Sequence, residues 1–210
     1  MSIREVDRVM VYFMGILFVS LGIVLCVKSE LGVSPISSVP YSISYLIPLT
    51  FGILTMLYHF ANSILQYILE RKIVNIKIFL QIPVAFLFGV IIDFLKQTLV
   101  FEPQNFFFKI LLMALSILST AFGMHLMLSM KLVQNPPDGT VKLIAILLNK
   151  NVGTVKVAYD VIMVIFSVIL SVIGLHKIIG FGIATICSAL FVGRTLTLLQ
   201  ITFRLEKFVD

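Results

Sequence analysis

The sequence predicts an all-α membrane protein of six transmembrane helices. We expect two inverted three-helix repeats, each with a short broken or re-entrant helix after its first span. Three observations predict this fold. Hydrophobic residues make up 60% of the 210 residues and charged residues 12%, whereas soluble domains average roughly 45–50% and about 25%. Apolar runs long enough to cross a bilayer recur along the chain, and the second half repeats features of the first.

Six apolar runs predict the spans. A helix needs about 20 apolar residues to cross roughly 30 Å of hydrocarbon. The runs cover residues 9–27, 49–69, 76–100, 110–130, 157–175 and 178–203. The first run is too long for a signal peptide, and no small-residue cleavage site follows it, so we interpret it as a span.

The basic residues predict the orientation of the spans, because cytoplasmic loops carry an excess of Lys and Arg. With a cytoplasmic N-terminus, the inner segments hold eleven basic residues: Arg4, Arg8, Arg71, Lys72, Lys77, Lys131, Lys142, Lys150, Lys156, Arg204 and Lys207. The outer segments hold four: Lys28, Lys96, Lys109 and Lys177. We therefore predict that both termini lie in the cytoplasm.

A shift of 101 residues aligns the two halves of the chain without a gap. Glycine, proline and tyrosine matches support the repeat best, because any two apolar helices share aliphatic residues by chance. These matches include Gly22 with Gly123, Pro35 with Pro136, Gly52 with Gly153, and Tyr58 with Tyr159. The predicted repeats are residues 1–104 and 105–210 of one integral membrane domain. Three spans in each repeat would invert the second one, as in secondary transporters whose substrates bind near the midplane.

Two interrupted segments follow the first span of each repeat, at residues 30–52 and 131–153. Each has a polar stretch, a proline and about a dozen apolar residues, which as a helix reach roughly 18 Å and cannot span. Ser or Asn can cap a helix that begins with proline, so we predict helix starts at Ser34-Pro35 and Asn135-Pro136. These helices either lie flat among the lipid headgroups or dip into the protein from opposite faces.

In the dipping arrangement, the two helix starts form a substrate site. A helix N-terminus carries a partial positive charge and unpaired N–H groups, which suit an anion. The predicted substrate-binding residues there are Ser34, Pro35, Ser37, Asn135, Pro136, Asp138 and Gly139. Asp138 does not suit an anion site, so it caps its own helix or holds a cation or an amino group.

Asp93 and Arg194 are two charges inside apolar runs, at equivalent places in the third and sixth spans. Such residues are costly in a bilayer and usually functional. An inverted repeat would bring them to similar depth, where they could form a gate or contact the substrate and a coupling ion. The structural alternative is a static ion pair, or side chains that reach the membrane surface.

Three further residues are candidates for coupling or gating. The shift of 101 residues relates His59 to Asp160. Lys156 precedes Asp160 by four residues, so a local ion pair is the competing interpretation. His125 lies late in the fourth run and is as readily a buried structural histidine as a proton carrier.

The sequence contains no motif that predicts catalysis. It has no Gly-rich phosphate loop, no HExxH zinc pair and no GxSxG elbow. We expect no enzyme activity, no cofactor and no metal site. The formal charge of +6 would suggest nucleic acid in a polar protein, but here the expected partners are the lipid bilayer and a small-molecule substrate. A homodimer is a further expectation.

Three motifs resemble those of the bacterial YczE/YyaS/YitT-like membrane proteins. They are ELGVSPISS after the first span, NPPDGT after the fourth, and a GxxxD pattern formed by Gly89 and Asp93. Pro136 to Gly139 match the family's second motif, whereas Ile36 and Ser37 replace the Trp and Asp of its first. The resemblance implies a bacterial inner-membrane protein of about six helices, of a family usually regarded as transporters.

We therefore expect a secondary transporter that moves a small polar metabolite, amphoteric or carboxylated, by alternating access. Two other classes of protein remain open. One is the substrate-binding subunit of an ABC-type importer of the energy-coupling-factor kind, and the other is an accessory or regulatory membrane protein without transport activity.

Overall fold

The computed structural model describes residues 5–70, 76–203 and 205. Within these residues the regular structure is helical, without a strand. The helices are α1 (Glu5–Lys28), α2 (Pro35–Ile43), α3 (Phe51–Glu70), α4 (Ile76–Phe79), α5 (Gln81–Thr98), α6 (Phe106–Ser129), α7 (Pro136–Leu147), α8 (Val152–Leu175) and α9 (Ile183–Thr202). The prediction of an all-α protein is confirmed for this part of the chain.

Five of the described helices are long and apolar enough to cross a membrane: α1, α5, α6, α8 and α9. The chain is thus a multi-pass membrane protein by the length and composition of its helices. The second predicted span, residues 49–69, forms the 20-residue helix α3. This helix is not among the five, because polar side chains interrupt its apolar sequence. The six-span count therefore stays a prediction.

Helix caps account for most of the differences from the predicted span boundaries. α6 begins at Phe106, before the predicted residue 110, because the Asn105 side chain accepts a hydrogen bond from the Phe108 N–H at 2.8 Å. α8 begins at Val152 rather than 157, with Asn151 accepting from the Gly153 N–H at 2.8 Å. The predicted third span is divided into α4 and α5.

Part of the predicted orientation concerns residues that lie outside the described ones. These are Arg4, Arg71, Lys72, Arg204 and Lys207, and the side chain of Lys77. The cytoplasmic location of both termini stays a prediction.

The chain divides into two compact units, each assembled from separate segments. Unit 1 comprises residues 1–34, 94–132 and 182–210, and unit 2 comprises residues 35–93 and 133–181. The predicted division at residues 104 and 105 concerns a sequence repeat and stays a prediction.

Unit 1 is built on a close antiparallel contact between α1 and α6. A Cβ atom on Gly123 would lie 2.6 Å from the Gly15 carbonyl oxygen, and one on Gly22 would lie 2.8 Å from the Ser116 carbonyl oxygen. Only glycine lets the two backbones approach this closely, as is common between membrane helices. α9 packs against α6 in the same unit.

In unit 2, the short helix α2 packs along α8 through buried serines. The Ser42 and Ser167 hydroxyl oxygens lie 2.7 Å apart, and Ser171 donates to Ser42 at 3.0 Å. Ser167 donates to the Ser38 carbonyl at 3.0 Å. Small hydroxyl residues of this kind hold helices together inside a bilayer. The other short helix, α7, packs against α3 and α8.

Both short helices begin where the sequence predicts, at Pro35 and Pro136. Asn135 occupies the N-cap position of α7, but its side chain makes no cap hydrogen bond. Pro136 and Pro137 have no N–H to donate, and the Asn135 amide instead donates to Asp138 Oδ2 at 3.0 Å. α2 ends at Ile43, three residues after the internal Pro40.

Candidate functional site

A row of buried polar side chains runs along α3, at the helical spacing i, i+3, i+4 and i+7. The row consists of His59, Asn62, Ser63 and Gln66, each at most 5% exposed. Polar groups buried in a membrane protein must find partners within the protein. The row contacts α5, α7 and α8 of unit 2, and it builds the polar core of that unit.

Two tyrosines join α3 to α8 at the centre of this core. The Tyr58 and Tyr159 hydroxyl oxygens lie 2.7 Å apart, and Tyr159 donates to Asn62 Oδ1 at 2.8 Å. Tyr159 has only one proton to give, so Tyr58 is the donor within the pair. Asn62 Nδ2 donates back to the Tyr58 carbonyl at 2.9 Å. This closed set, here called the tyrosine network, is saturated.

A pair of glutamines holds the start of α7 against α3 and α5. Gln66 and Gln81 exchange reciprocal amide hydrogen bonds, each of 3.0 Å. Gln66 Nε2 also donates to the Pro136 carbonyl at 2.8 Å. A Cβ atom on Gly139 would lie 2.8 Å from Gln66 Oε1, so the glycine makes room for this amide. Among the predicted site residues, Pro136 and Gly139 thus serve the docking of α7.

A charged cluster lies beside the first turn of α7 and consists of Asp138, Lys156 and Asp160. Lys156 Nζ lies 3.0 Å from Asp160 Oδ1 and 3.5 Å from Asp138 Oδ1. The pair of Lys156 with Asp160 is the local ion pair that the sequence analysis gave as the competing interpretation of Asp160. The amino group held by Asp138 is that of Lys156. Two carboxylates against one ammonium leave the cluster with a formal charge of −1.

Two buried atoms near the cluster have no hydrogen-bond partner among the described residues: Asn135 Oδ1 and His59 Nδ1. Asn135 is tied to the cluster through its other amide atom, which donates to Asp138. The His59 side chain is 2% exposed, and its ring packs edge-on against Phe88 at 5.0 Å between centroids. His59 lies less than one turn from Asn62 on α3, and the Asn62 carbonyl accepts from Thr140 Oγ1 on α7 at 3.2 Å. The tyrosine hydroxyls therefore have hydrogen-bond partners within the protein. Beside Asp138, by contrast, two buried polar atoms have none among the described residues.

Asp93 belongs to α5 and lies beside the start of α3, elsewhere in unit 2. Its carboxylate accepts hydrogen bonds from the Gly52 N–H at 2.8 Å and from the Thr50 hydroxyl. Thr50 Oγ1 in turn accepts from the Ile53 N–H at 3.2 Å. Asp93 thus reinforces the N-terminal cap of α3. Its negative charge also interacts favourably with the positive end of the α3 helix dipole.

Two further predicted gating residues, Arg194 and His125, lie in unit 1. Arg194 is exposed on α9, with its guanidinium carbon 6.0 Å from the centre of the Phe191 ring. A pairing of Arg194 with Asp93 would join residues of two separate units, and it stays a prediction. His125 is 1% exposed in α6, and its Nδ1 lies 3.5 Å from Ser129 Oγ.

The first short helix supplies a different environment from the second. Pro35 and Ser37 are buried in α2, and Ser34 directly precedes this helix. Ser37 is the residue that the shift of 101 aligns with Asp138, and Thr55 aligns with Lys156. The first half of the chain thus has uncharged residues where the second half has two members of the charged cluster.

The model of a family of unknown function, DUF6198, matches residues 6–201. The chain belongs to this family. No curated protein and no solved structure matches the chain. The resemblance of this DUF6198 chain to the YczE/YyaS/YitT-like proteins stays a prediction.

Sequence reasoning missed most of the polar core of this DUF6198 chain. Asn62, Gln66 and the two tyrosines were not candidates, and Lys156 entered only as a local partner of Asp160. The helical spacing of His59, Asn62, Ser63 and Gln66 within an apolar run was the available signal. A polar row at this spacing predicts a helix face that packs on other polar groups.

Proposed function

We propose that this protein is a small secondary transporter that moves a polar, amphoteric metabolite across the membrane by alternating access. The observation that carries the proposal is the charged cluster of Asp138, Lys156 and Asp160, which lies on helices of a multi-pass membrane protein. Ionisable groups inside membrane proteins are costly and usually mark substrate or ion pathways. Two unpartnered buried atoms beside the cluster leave capacity for a ligand.

Contacts within unit 1 support the inverted repeat on which alternating access depends. The 101-residue shift relates Gly15 to Ser116 and Gly22 to Gly123. It therefore turns the contact between Gly15 and Gly123 into the contact between Ser116 and Gly22, and both contacts are present. The Ser119 hydroxyl donates to the Phe18 carbonyl at 2.7 Å, and this contact maps onto itself. A two-fold axis would produce this pattern, and the antiparallel course of α1 and α6 is the course that inversion requires.

Unit 2 supports the same symmetry independently. The hydrogen bond between Tyr58 and Tyr159 joins residues 101 apart. The shift also exchanges the α2–α8 packing with the α7–α3 packing. Two similar halves that exchange conformations give a transporter equivalent inward-facing and outward-facing states.

The burial of the two short helices supports the dipping arrangement over the interfacial one. In α2, six of nine residues are buried, and in α7 six of twelve. A helix lying flat in the headgroups presents a polar face to water, whereas α2 directs its serines onto α8. The start of α7 is then the place where a substrate meets Asp138.

Ligand-induced stabilisation of the purified protein tests the proposal first. A ligand that binds the native state raises the melting temperature by mass action, so a metabolite library should yield at least one stabilising compound. That compound should then enter proteoliposomes, and Asp138→Asn should abolish its flux. Glu30→Gln is the matched control, because Glu30 pairs with Lys109 at an exposed place in unit 1.

The outcome of this test separates the three classes of protein. Stabilisation without flux, together with copurification of an ATPase and a scaffold subunit, would identify the substrate-binding subunit of an importer. The absence of any stabilising compound and of any flux would favour the accessory protein and refute the proposal.

A further inference from the structure

We propose that the ligand of unit 2 carries a primary ammonium group, which Asp138 binds with Asn135 and His59 while Lys156 remains on Asp160. This inference rests on the proposed transport function and names its substrate class. It follows from the charge of the cluster, from the hydrogen bonds that are missing there, and from the way Lys156 is held.

The charge of the cluster calls for one more cation. Asp138 and Asp160 carry two negative charges, and Lys156 carries one positive charge. Among the described residues, the further polar groups near the cluster are His59 and Tyr58 on α3 and Tyr159 on α8 itself. None of these supplies a permanent positive charge. A half-buried carboxylate without a full counter-charge favours a monovalent cation.

The missing hydrogen bonds define the chemistry of that cation. Asn135 Oδ1 is an acceptor, and imidazole Nδ1 of His59 can accept in one tautomer. A ligand that meets both must donate N–H bonds besides carrying a charge. A primary ammonium has three donors, enough for Asn135, His59 and Asp138 at once. A sodium ion is a poorer match, because it prefers oxygen ligands and His59 offers an imidazole nitrogen.

Lys156 shows how the protein itself binds an ammonium group at this place. Its Nζ atom lies closer to Asp160 (3.0 Å) than to Asp138 (3.5 Å). A second ammonium can therefore take Asp138 while Lys156 keeps its shorter contact. Lys156 is a positioning residue in this arrangement, since it neutralises Asp160 and leaves one carboxylate for the ligand.

The experiment measures the affinity of the purified full-length protein for four simple probes. Ethylammonium carries the charge and the N–H donors, tetramethylammonium the charge alone, acetate the opposite charge, and 1,4-diaminobutane two ammonium groups. Ethylammonium should bind at least about tenfold more tightly than tetramethylammonium or acetate, as expected for charge-assisted hydrogen bonds.

Charge variants then test the assignment to Asp138. Asp138→Asn should weaken ethylammonium binding by about tenfold or more, whereas Glu30→Gln should leave it unchanged. Lys156→Met leaves two unpaired carboxylates, so the affinity for the diamine relative to ethylammonium should rise about tenfold. Adding Asp160→Asn to Lys156→Met restores the formal charge of −1 and should return the affinity for the diamine relative to ethylammonium to that of the unchanged protein. This rescue keeps the test valid if a single variant fails to fold.

Two results with the simple probes and the Asp138 variant would overturn the inference. One is stabilisation by acetate but not by ethylammonium, and the other is an unchanged ethylammonium affinity in Asp138→Asn. If library compounds that lack an ammonium group bind and are transported, the transporter proposal stands and the ammonium assignment falls. If nothing binds and nothing is transported, both fall.

Discussion

Replacing Asp93 with Asn separates a structural role of this residue from a role in transport. The carboxylate accepts hydrogen bonds from the Gly52 N–H and the Thr50 hydroxyl at the start of α3. An asparagine side chain keeps one carbonyl oxygen, and its NH₂ group cannot accept either bond. The variant therefore loses one hydrogen bond to the helix start together with the negative charge.

The expected loss of unfolding free energy is about 1–4 kcal/mol. A hydrogen bond to a charged group contributes about 1.5–3 kcal/mol in water-soluble proteins, whereas side-chain hydrogen bonds inside membrane proteins average about 0.6 kcal/mol. The charge at the positive end of the α3 dipole adds roughly 0.3–1 kcal/mol. Ligand affinity should persist, because the carboxylate is engaged at α3 and the charged cluster lies on α7 and α8.

Denaturant titration in mixed micelles measures the free energy of unfolding. A binding titration with the metabolite found by thermal screening measures the ligand affinity. Thr50→Val removes one donor to the same carboxylate, so its effect should be less than additive with that of Asp93→Asn. Glu102→Gln neutralises an exposed loop carboxylate and should change stability by less than about 0.5 kcal/mol. Unchanged stability with abolished flux in Asp93→Asn would refute the cap and restore Asp93 as a gate.

Three further predictions test the packing of the two units. Gly123→Ala should cost unit 1 about 1–3 kcal/mol of unfolding free energy, because its Cβ atom would lie 2.6 Å from the Gly15 carbonyl oxygen. Gly193→Ala should be neutral or slightly stabilising, since nothing lies within 4 Å of its Cβ atom. In unit 2, a double-mutant cycle of Tyr58→Phe and Tyr159→Phe should give a coupling energy of about 0.6 kcal/mol, and a value of zero would contradict the observed hydrogen bond. Gly139→Ala should weaken the docking of α7 by about 1–3 kcal/mol by displacing the Gln66 amide, and Gln66→Ala should largely remove that effect.

The sequence was most informative where local chemistry determines the structure. Pro35 and Pro136 mark the starts of α2 and α7 because proline is favoured in the first turn of a helix. The apolar runs locate the long helices because their length must match the bilayer. Span boundaries were less accurate, since the caps at Asn105 and Asn151 extend α6 and α8 beyond the uncharged runs.

The candidate site was predicted less well because its members meet through tertiary contacts. For Asp138 the sequence predicted a helix cap or a contact with a cation or an amino group, but it did not identify Lys156, which follows 18 residues later on another helix. Asp93 was selected because a charge in an apolar run is rare, and this argument does not reveal that a helix start lies next to it. Burial and partners decide between a cap and a ligand, and neither is encoded in one segment.

The polar core of unit 2 contains two kinds of polar group, and the difference between them locates the site. The tyrosine network and the glutamine pair have their hydrogen bonds made inside the protein. They can hold α3, α7 and α8 together, but they have little left to offer a ligand. The cluster beside Asp138 has an unbalanced carboxylate, and Asn135 Oδ1 and His59 Nδ1 have no partner among the described residues. Leaving these two buried atoms without a partner costs several kcal/mol in an apolar medium. An occupant that donates N–H bonds and carries a positive charge offsets this cost, so binding and stability should change together when the charge of the cluster is altered.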